Sequence, residues 1–364
     1  MKRHNRLKKH TLGLAALLVT AGMSQIALAG DSVYVNTSSL RYRTSAQIKD
    51  NNIAGNLSYG QKLERVGTSG QWTMILLNGK KYYVSSAYVT SKKPASAGAV
   101  QTTSQTAAGA QTSGGTAIAL SSNYKYANYS KINSGTATLY RSTASNKKNK
   151  VVCVNAGHGT NGGGSVKTQC HPDGSAKVTG GTTGAGATSA VAVSSGMTFA
   201  DGTAESKVTL AMAKVLKTKL LNAGYDVLMI RESDDVQLDN IARTVIANNN
   251  ADCHIALHWD STSSNKGAFF MSVPSNATYR AMEPVASHWK QHNQLGESLI
   301  SGLKSAGVKI YSKGSMEMDL TQTSYSTIPS VDIELGDKAS DHSGTTLETL
   351  ANGLLTGVNT FFGQ

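Results

Sequence analysis

The chain has 364 residues, with 35 Lys and Arg against 22 Asp and Glu, and a formal net charge of +13. Its hydrophobic content of 39% is enough for a core, which excludes wholesale disorder, and 36 Gly without a three-residue period exclude collagen. At ~100–200 residues per domain the length predicts two or three domains.

The first ten residues hold Lys2, Arg3, Arg6, Lys8 and Lys9 and no acid. An apolar stretch from Leu12 to Leu28 follows, closed by the small-x-small pattern Ala27-Leu28-Ala29. This order predicts a secretory signal peptide over residues 1–29. Thr20, Ser24 and Gln25 interrupt the run, leaving less than the ~20 apolar residues that a membrane span needs. The expectation is therefore a protein exported to the bacterial cell envelope, with no transmembrane anchor once the leader is removed. Cys153, Cys170 and Cys253 allow at most one intrachain disulfide, so this is no disulfide scaffold.

Residues 30–92 show short β-prone runs divided by Gly, Ser and Asn. Asn78-Gly79 between Trp72–Leu77 and Lys80–Val84 is a strong hairpin signal, because both central residues of a type I′ turn need positive φ. Five or six strands in this length predict a small β-barrel. Ser39-Leu40-Arg41-Tyr42-Arg43-Thr44-Ser45, Gly60 before Gln61–Val66, Trp72 and Tyr82–Tyr88 together resemble the bacterial SH3 family. That resemblance implies a non-catalytic, wall-targeting module, with anionic wall polymers as its partner.

Residues 93–149 read as a flexible linker followed by a basic lead-in. Positions 94–123 carry no charge and are mostly Ala, Ser, Thr, Gly and Gln. Residues 124–150 add six basic residues and no acid, and the first strand of the next domain is expected near Val151.

From residue 150 to 364 strands alternate with helices. Val151–Val154, Tyr225–Ile230, Cys253–Leu257, Val308–Tyr311 and Ser330–Leu335 read as strands. Val208, Ala211, Met212, Val215 and Leu216 mark a helix from Glu205 to Asn222, and Leu238 to Ile246 repeats the stripe. Further helices are expected over residues 283–305 and 345–362. The fold class is α/β, a mostly parallel sheet flanked by helices, in addition to the small all-β barrel. Ligands in such sheets sit beyond the carboxyl ends of strands. Three strand ends carry suitable groups there: His158, His258, and Asp332 with Glu334; Glu205 opens the first long helix. Two His and one Glu suit a catalytic zinc with an open fourth position, and a further carboxylate can serve as general base.

The ordered set Val152–Gly159, Ala204–Ala211, Met229–Asp234, Leu238–Arg243, Ala251–His258 and Pro329–Gly336 resembles the zinc-dependent N-acetylmuramoyl-L-alanine amidases. The resemblance implies a phosphorylase/hydrolase-like domain with Zn2+ held by His158, Glu205 and His258, and Glu334 as the catalytic carboxylate. It implies cleavage of the amide between N-acetylmuramic acid and L-alanine in peptidoglycan by zinc-activated water. Alternatives are a zinc peptidase cutting within the stem peptide and an inactive wall-binding protein. Arg231, Asp234 and Arg243 are expected to form structural ion pairs. Two features depart from the family pattern: His258-Trp259-Asp260 replaces a more usual His-Ala-Asn, and 46 residues separate His158 from Glu205. Eleven of residues 159–202 are Gly, and this insertion is expected to border or cover the groove. Cys170-His171 would lie in its flexible part, His254 would be a core or supporting residue, and His288 and His292 would share a solvated helix face.

Residues 30–93 carry a net +6, residues 124–150 another +6, and residues 151–364 have 15 basic and 19 acidic residues. The basic surplus is thus expected on the targeting half. No basic helix or recognition motif supports nucleic acid as a partner.

Overall fold

Asn78 and Gly79 adopt φ of 50° and 75°, so the predicted type I′ turn forms, and it pairs Leu77 with Lys80 in register. The computed structural model describes residues 31–35, 39–47, 52–58, 60–93 and 114–364. The expected leader, residues 1–29, lies outside the described residues, as does the low-complexity stretch 94–113. Two units divide the chain after Thr106.

The first unit has strands β1 (Asp31–Val35), β2 (Ser39–Arg43), β3 (Ile53–Ser58), β4 (Lys62–Ser69), β5 (Trp72–Leu77), β6 (Lys80–Ser85) and β7 (Val89–Thr90). They form one antiparallel sheet in the order β3-β2-β6-β5-β4-β1-β7. Alternate residues Val33, Val35, Leu40, Leu57, Leu63, Ile75 and Val84 turn to one core, as the period of two demands.

The second unit contains β8 (Thr116–Ala119), β9 (Thr136–Tyr140), β10 (Val151–Ala156), β11 (Lys167–Gln169), β12 (Ser189–Val191), β13 (Asp226–Met229), β14 (Cys253–Asp260), β15 (Ala268–Ser272), β16 (Ile310–Glu317) and β17 (Ser330–Asp337). Its helices are α1 (Glu205–Asn222), α2 (Asn240–Asn250), α3 (Ala277–Ala281), α4 (Val285–Ser305), α5 (Thr321–Tyr325) and α6 (Gly344–Phe362). Eight strands form the main sheet in the order β16-β15-β17-β14-β10-β13-β9-β8. Four of its seven pairings are parallel and three antiparallel, so the sheet is mixed, with antiparallel strands at β15 and at β9 and β8; the parallel run β17-β14-β10-β13 forms its centre. One face, with Val152, Val154, Ile255 and Leu257, packs on Met212 and Leu216 of α1, Leu299 of α4 and Leu354 of α6. The other, with Cys153, Leu228 and Ile230, meets Ala242 and Ile246 of α2. Cys153 and Cys253 belong to opposite faces, and all three cysteines are buried free thiols.

The basic lead-in is not a linker end. Residues 116–119 and 136–140 are β8 and β9, which extend the sheet antiparallel from β13. Charge explains why composition misleads there: Arg141 pairs with Asp226 at 2.6 Å, and Lys150 with Asp252 at 3.0 Å. Asp239, the N-cap of α2, accepts from Ala242 N through Oδ1 and from Lys131 N, Ile132 N and Ser130 Oγ through Oδ2. The +6 of residues 124–150 therefore belongs to the second unit, where acids elsewhere in the unit reduce it to a net +2, and residues 30–93 keep their +6.

The Gly-rich insertion is tied down rather than loose. Asp319, fully buried, accepts from Val178 N at 2.7 Å, Thr179 N at 3.0 Å and Lys177 Nζ at 3.0 Å, and bonds His171 Nε2 at 3.0 Å and the Thr179 hydroxyl. Burial alone would raise the Asp319 pKa; the bonds from His171, Thr179 and Val178 and the charge of Lys177 hold it well below the usual carboxylate range. Tyr129 and Tyr325 donate their hydroxyls to the Pro172 and Gln169 carbonyls at 3.0 and 3.3 Å. Cys170 and His171, expected in a flexible segment, are each 1% exposed.

His292 is likewise buried, not on a solvated face: its Nδ1 accepts from Ser330 N at 2.9 Å. His254 is a core residue, and neither ring nitrogen has a hydrogen-bond partner among the described residues. Burial pushes both imidazoles down to about 3. The unfolded chain then binds more protons between pH 6.5 and 3, so both residues favour folding fully above about pH 6.5 and lose that contribution as pH falls. Urea midpoints should fall steeply below pH 6, by up to about 1.4 kcal/mol per pH unit for each residue, and His254→Leu should flatten that slope. Asp319→Ala, which leaves Lys177 buried without its counter-charge, should cost about 3–5 kcal/mol in urea denaturation and expose residues 165–190 to protease.

Candidate metal centre

The parallel centre of the sheet brings the carboxyl ends of β10, β14 and β17 to one edge. His158 lies two residues past β10, His258 is the sixth residue of β14, and Glu334 is paired beside His258 on β17. Glu205 is the first residue of α1, where the helix dipole favours a carboxylate. The four residues expected from the sequence are thus brought together.

His158 Nε2 lies 2.9 Å from Glu205 Oε1, His258 Nδ1 lies 3.2 Å from the same oxygen, and the two ring nitrogens are 3.0 Å apart. All three ligand atoms fall within 4.8 Å of one another. Bonds of ~2.0–2.1 Å in a tetrahedral zinc site separate donors by roughly 3.3 Å, so this spacing suits a small divalent cation after slight outward adjustment. Each ligand is aimed by a second contact. His158 Nδ1 donates to the Ser194 carbonyl at 2.9 Å, which leaves Nε2 with a free lone pair. Glu205 accepts from Met197 N at 2.8 Å and Trp259 N at 3.0 Å. His258 Nε2 faces Asp332 Oδ2 at 3.5 Å. There is no room to spare: a Cβ at Gly157 would lie 2.3 Å from His258 Cε1. At Gly196, which also needs φ of +81°, a Cβ would lie 2.8 Å from His158 Cδ2.

Electrostatics follow from this crowding. Burial alone would raise the Glu205 pKa, but bonds from His158 and His258 hold it well below its ordinary range. Burial would lower that of His258, yet Asp332, Glu205 and Glu334 raise it to about 10. Glu334 is pushed up, first by burial and then by the charges of Asp332 and Glu205, although His258 opposes them. Its Oε2 is buried and has no hydrogen-bond partner among the described residues, while the side chain lines the same cavity as the three ligands. That cavity holds about 520 Å³. The insertion supplies one of its walls through Thr182, Thr183, Ser194 and Ser195, opposite Asn240 and Gln322.

The two arginines are structural, but not through ion pairs. Arg243 donates to the carbonyls of Leu238 at 2.9 Å and His158 at 2.7 Å; Arg231 donates to Gly157 O at 3.0 Å and Ser206 O at 2.8 Å. They fix the loop that carries His158, and Asp234 acts on Arg231 only through its field. Trp259 packs against Phe199 at 5.9 Å between ring centroids, and Asp260 pairs with Lys266 at 2.6 Å, so neither replaces a ligand. Sequence reasoning assigned no role to Ser194 or Asp332. Asp332, two residues before Glu334 on one strand, was open to that inference from the strand period; Ser194, 36 residues beyond His158, carried no local signal.

No curated protein matches the chain. Among solved structures, the apo form of the N-acetylmuramyl-L-alanine amidase Ami1 from Mycobacterium abscessus is 19% identical, with a TM-score of 0.46, over 58% of this chain and 98% of that one. Ami1 from Mycobacterium smegmatis is 20% identical with a TM-score of 0.45, over 60% and 99%. The amidase AmiC2 of Nostoc punctiforme is 15% identical with a TM-score of 0.42, over 60% and 99%. The N-acetylmuramoyl-L-alanine amidase family model matches residues 152–352, more than half of the chain, and that stretch runs from β10 through α1 and β14 to β17 and into α6. The chain therefore belongs to the N-acetylmuramoyl-L-alanine amidase family.

Proposed function

We propose that this protein is an exported, zinc-dependent cell-wall hydrolase that cuts the amide between N-acetylmuramic acid and L-alanine in peptidoglycan. The observation that carries the reading is three ligand atoms within 4.8 Å of one another beside a buried Glu334 oxygen that lacks a partner. His158, Glu205 and His258 would hold the ion; bound zinc supplies a Lewis acid for the scissile carbonyl and an acidified water. Glu334 takes the proton of the attacking water and returns it to the alanine nitrogen as the C–N bond breaks. Its raised pKa suits the second step, in which it gives up that proton to the alanine nitrogen. Thr182, Thr183, Ser194 and Ser195 of the insertion line the same cavity and would border the bound substrate. Among the described residues no helix is long and apolar enough to cross a membrane.

The first unit, read as an SH3-like module, supplies wall retention. Its basic side chains Arg41, Lys62, Lys80, Lys81, Lys92 and Lys93 favour an anionic wall polymer, an attraction that salt screens.

Purified peptidoglycan digested by the mature chain should yield peptides with free N-terminal alanine and no new reducing ends. Cuts between stem amino acids would instead identify a peptidase. Glu334→Gln should lower turnover by about 10²–10⁴-fold while zinc content stays at the parent level, and a chelator should abolish turnover. In sedimentation with purified walls, deletion of residues 31–93 should remove the salt-sensitive part of binding and leave hydrolysis of soluble fragments within about threefold.

A further inference from the structure

We infer that Asp332 is a positioning residue for the metal centre: it holds His258 in the one tautomer that presents Nδ1 to the other two ligands. The inference rests on the zinc reading proposed above and adds a residue to it.

The orientation of the His258 ring carries the argument. Its Nδ1 is the atom inside the ligand group, 3.0 Å from His158 Nε2 and 3.2 Å from Glu205 Oε1. Its Nε2 points the other way and lies 3.5 Å from Asp332 Oδ2. A neutral imidazole has a single N–H, and a metal takes the nitrogen that lacks it. Ligation through Nδ1 therefore requires the proton on Nε2, and a carboxylate oxygen 3.5 Å from Nε2 favours the tautomer that turns an N–H toward it over the one that turns a lone pair. Asp332 is not itself in the ligand group, which comprises His158, Glu205 and His258 among the described residues.

Backbone pairing fixes this contact. β14 and β17 run parallel, with Ala256 opposite Asp332 and His258 opposite Glu334. Asp332 and Glu334, two residues apart on one strand, share a face, so the strand that delivers the catalytic carboxylate also delivers the acceptor for His258. His158 is held by the same device on the opposite nitrogen: its Nδ1 meets the Ser194 carbonyl at 2.9 Å, and its Nε2 is left for the metal. The two imidazoles thus enter the site through different nitrogens, each with an oxygen facing the other nitrogen, at 2.9 Å for His158 and 3.5 Å for His258. One acceptor is a neutral carbonyl on the insertion; the other is a carboxylate on the central sheet.

The test uses the full mature chain, stripped of metal, with zinc alone as the probe. Zinc affinity is measured by competition with a chromophoric chelator, the visible spectrum is recorded with cobalt(II), and the His258 tautomer is read by 15N NMR of the zinc-loaded protein. Asp332→Leu should weaken zinc binding about 10–100-fold, change the cobalt spectrum and give a mixture of His258 tautomers. Asp332→Asn keeps an acceptor oxygen without the charge and should fall between the two, with zinc about 3–10-fold weaker. A leucine variant with the parent's zinc affinity and tautomer overturns the inference, even if its melting temperature drops. Should the leucine variant fail to fold, an asparagine variant that matches the parent in both readouts overturns it equally. A parent chain that takes up no zinc removes the metal-centre reading, and this inference with it.

Discussion

Burying an ionised carboxylate where three strand ends converge is costly unless it is closely partnered, and Glu205, at 2% exposure, has two backbone amides and two imidazoles around it. Its partners come from separate parts of the chain: His158 beyond β10, Met197 on the insertion, and His258 and Trp259 on β14. Each of these segments must be in place before the charge is satisfied. The requirement couples the metal centre to the sheet, to the first turn of α1 and to the insertion at once. It also explains the crowding at Gly157 and Gly196, where a single added carbon would meet an imidazole.

A second buried carboxylate follows the same logic one layer further out. Asp319 gathers His171, Lys177 and the Val178 and Thr179 amides, and so turns a Gly-rich stretch into a fixed wall of the cavity. Tyr129 and Tyr325 close the other side of that stretch through the Pro172 and Gln169 carbonyls. The lead-in 124–150 thus helps support the wall, and two of its six positive charges, Arg141 and Lys150, pair with Asp226 and Asp252 of the same unit. A basic surplus that composition would place in a tether is spent partly on internal pairing.

Local signals were legible wherever one period or one turn dominates. The α1 stripe from Val208 to Leu216 lies in the helix Glu205–Asn222, and Asn78-Gly79 turns as its φ requirement predicts. Strand ends and a helix start are readable positions, so His158, Glu205, His258 and Glu334 could be placed near one another, while their roles as ligands and base came from the resemblance alone. Other features were hidden for a physical reason. In β9, Thr136-Ala137-Thr138-Leu139-Tyr140 is short and flanked by charge, and its partners Val227, Leu228 and Met229 lie almost ninety residues away. His292 sits on a helix with polar neighbours, yet its burial is decided by Ser330 of β17, whose amide it accepts. Arg231 and Arg243 read as ion-pair partners because charge is visible in a sequence and carbonyl geometry is not.

The sequence by itself determined the alternation of strands and helices in the second unit, the hairpin of the first, and the residue types that meet at the strand ends. These follow from side-chain periodicity and backbone preference, which act over a few neighbours. Tertiary structure alone decided the mixed order of the sheet, the anchoring of the insertion and which nitrogen of each imidazole turns inward. Those outcomes depend on acceptors such as Ser194 and Asp332, brought beside His158 and His258 from 36 and 74 residues away. A proton on one ring atom or the other is settled by the group behind it, and only the folded chain places that group.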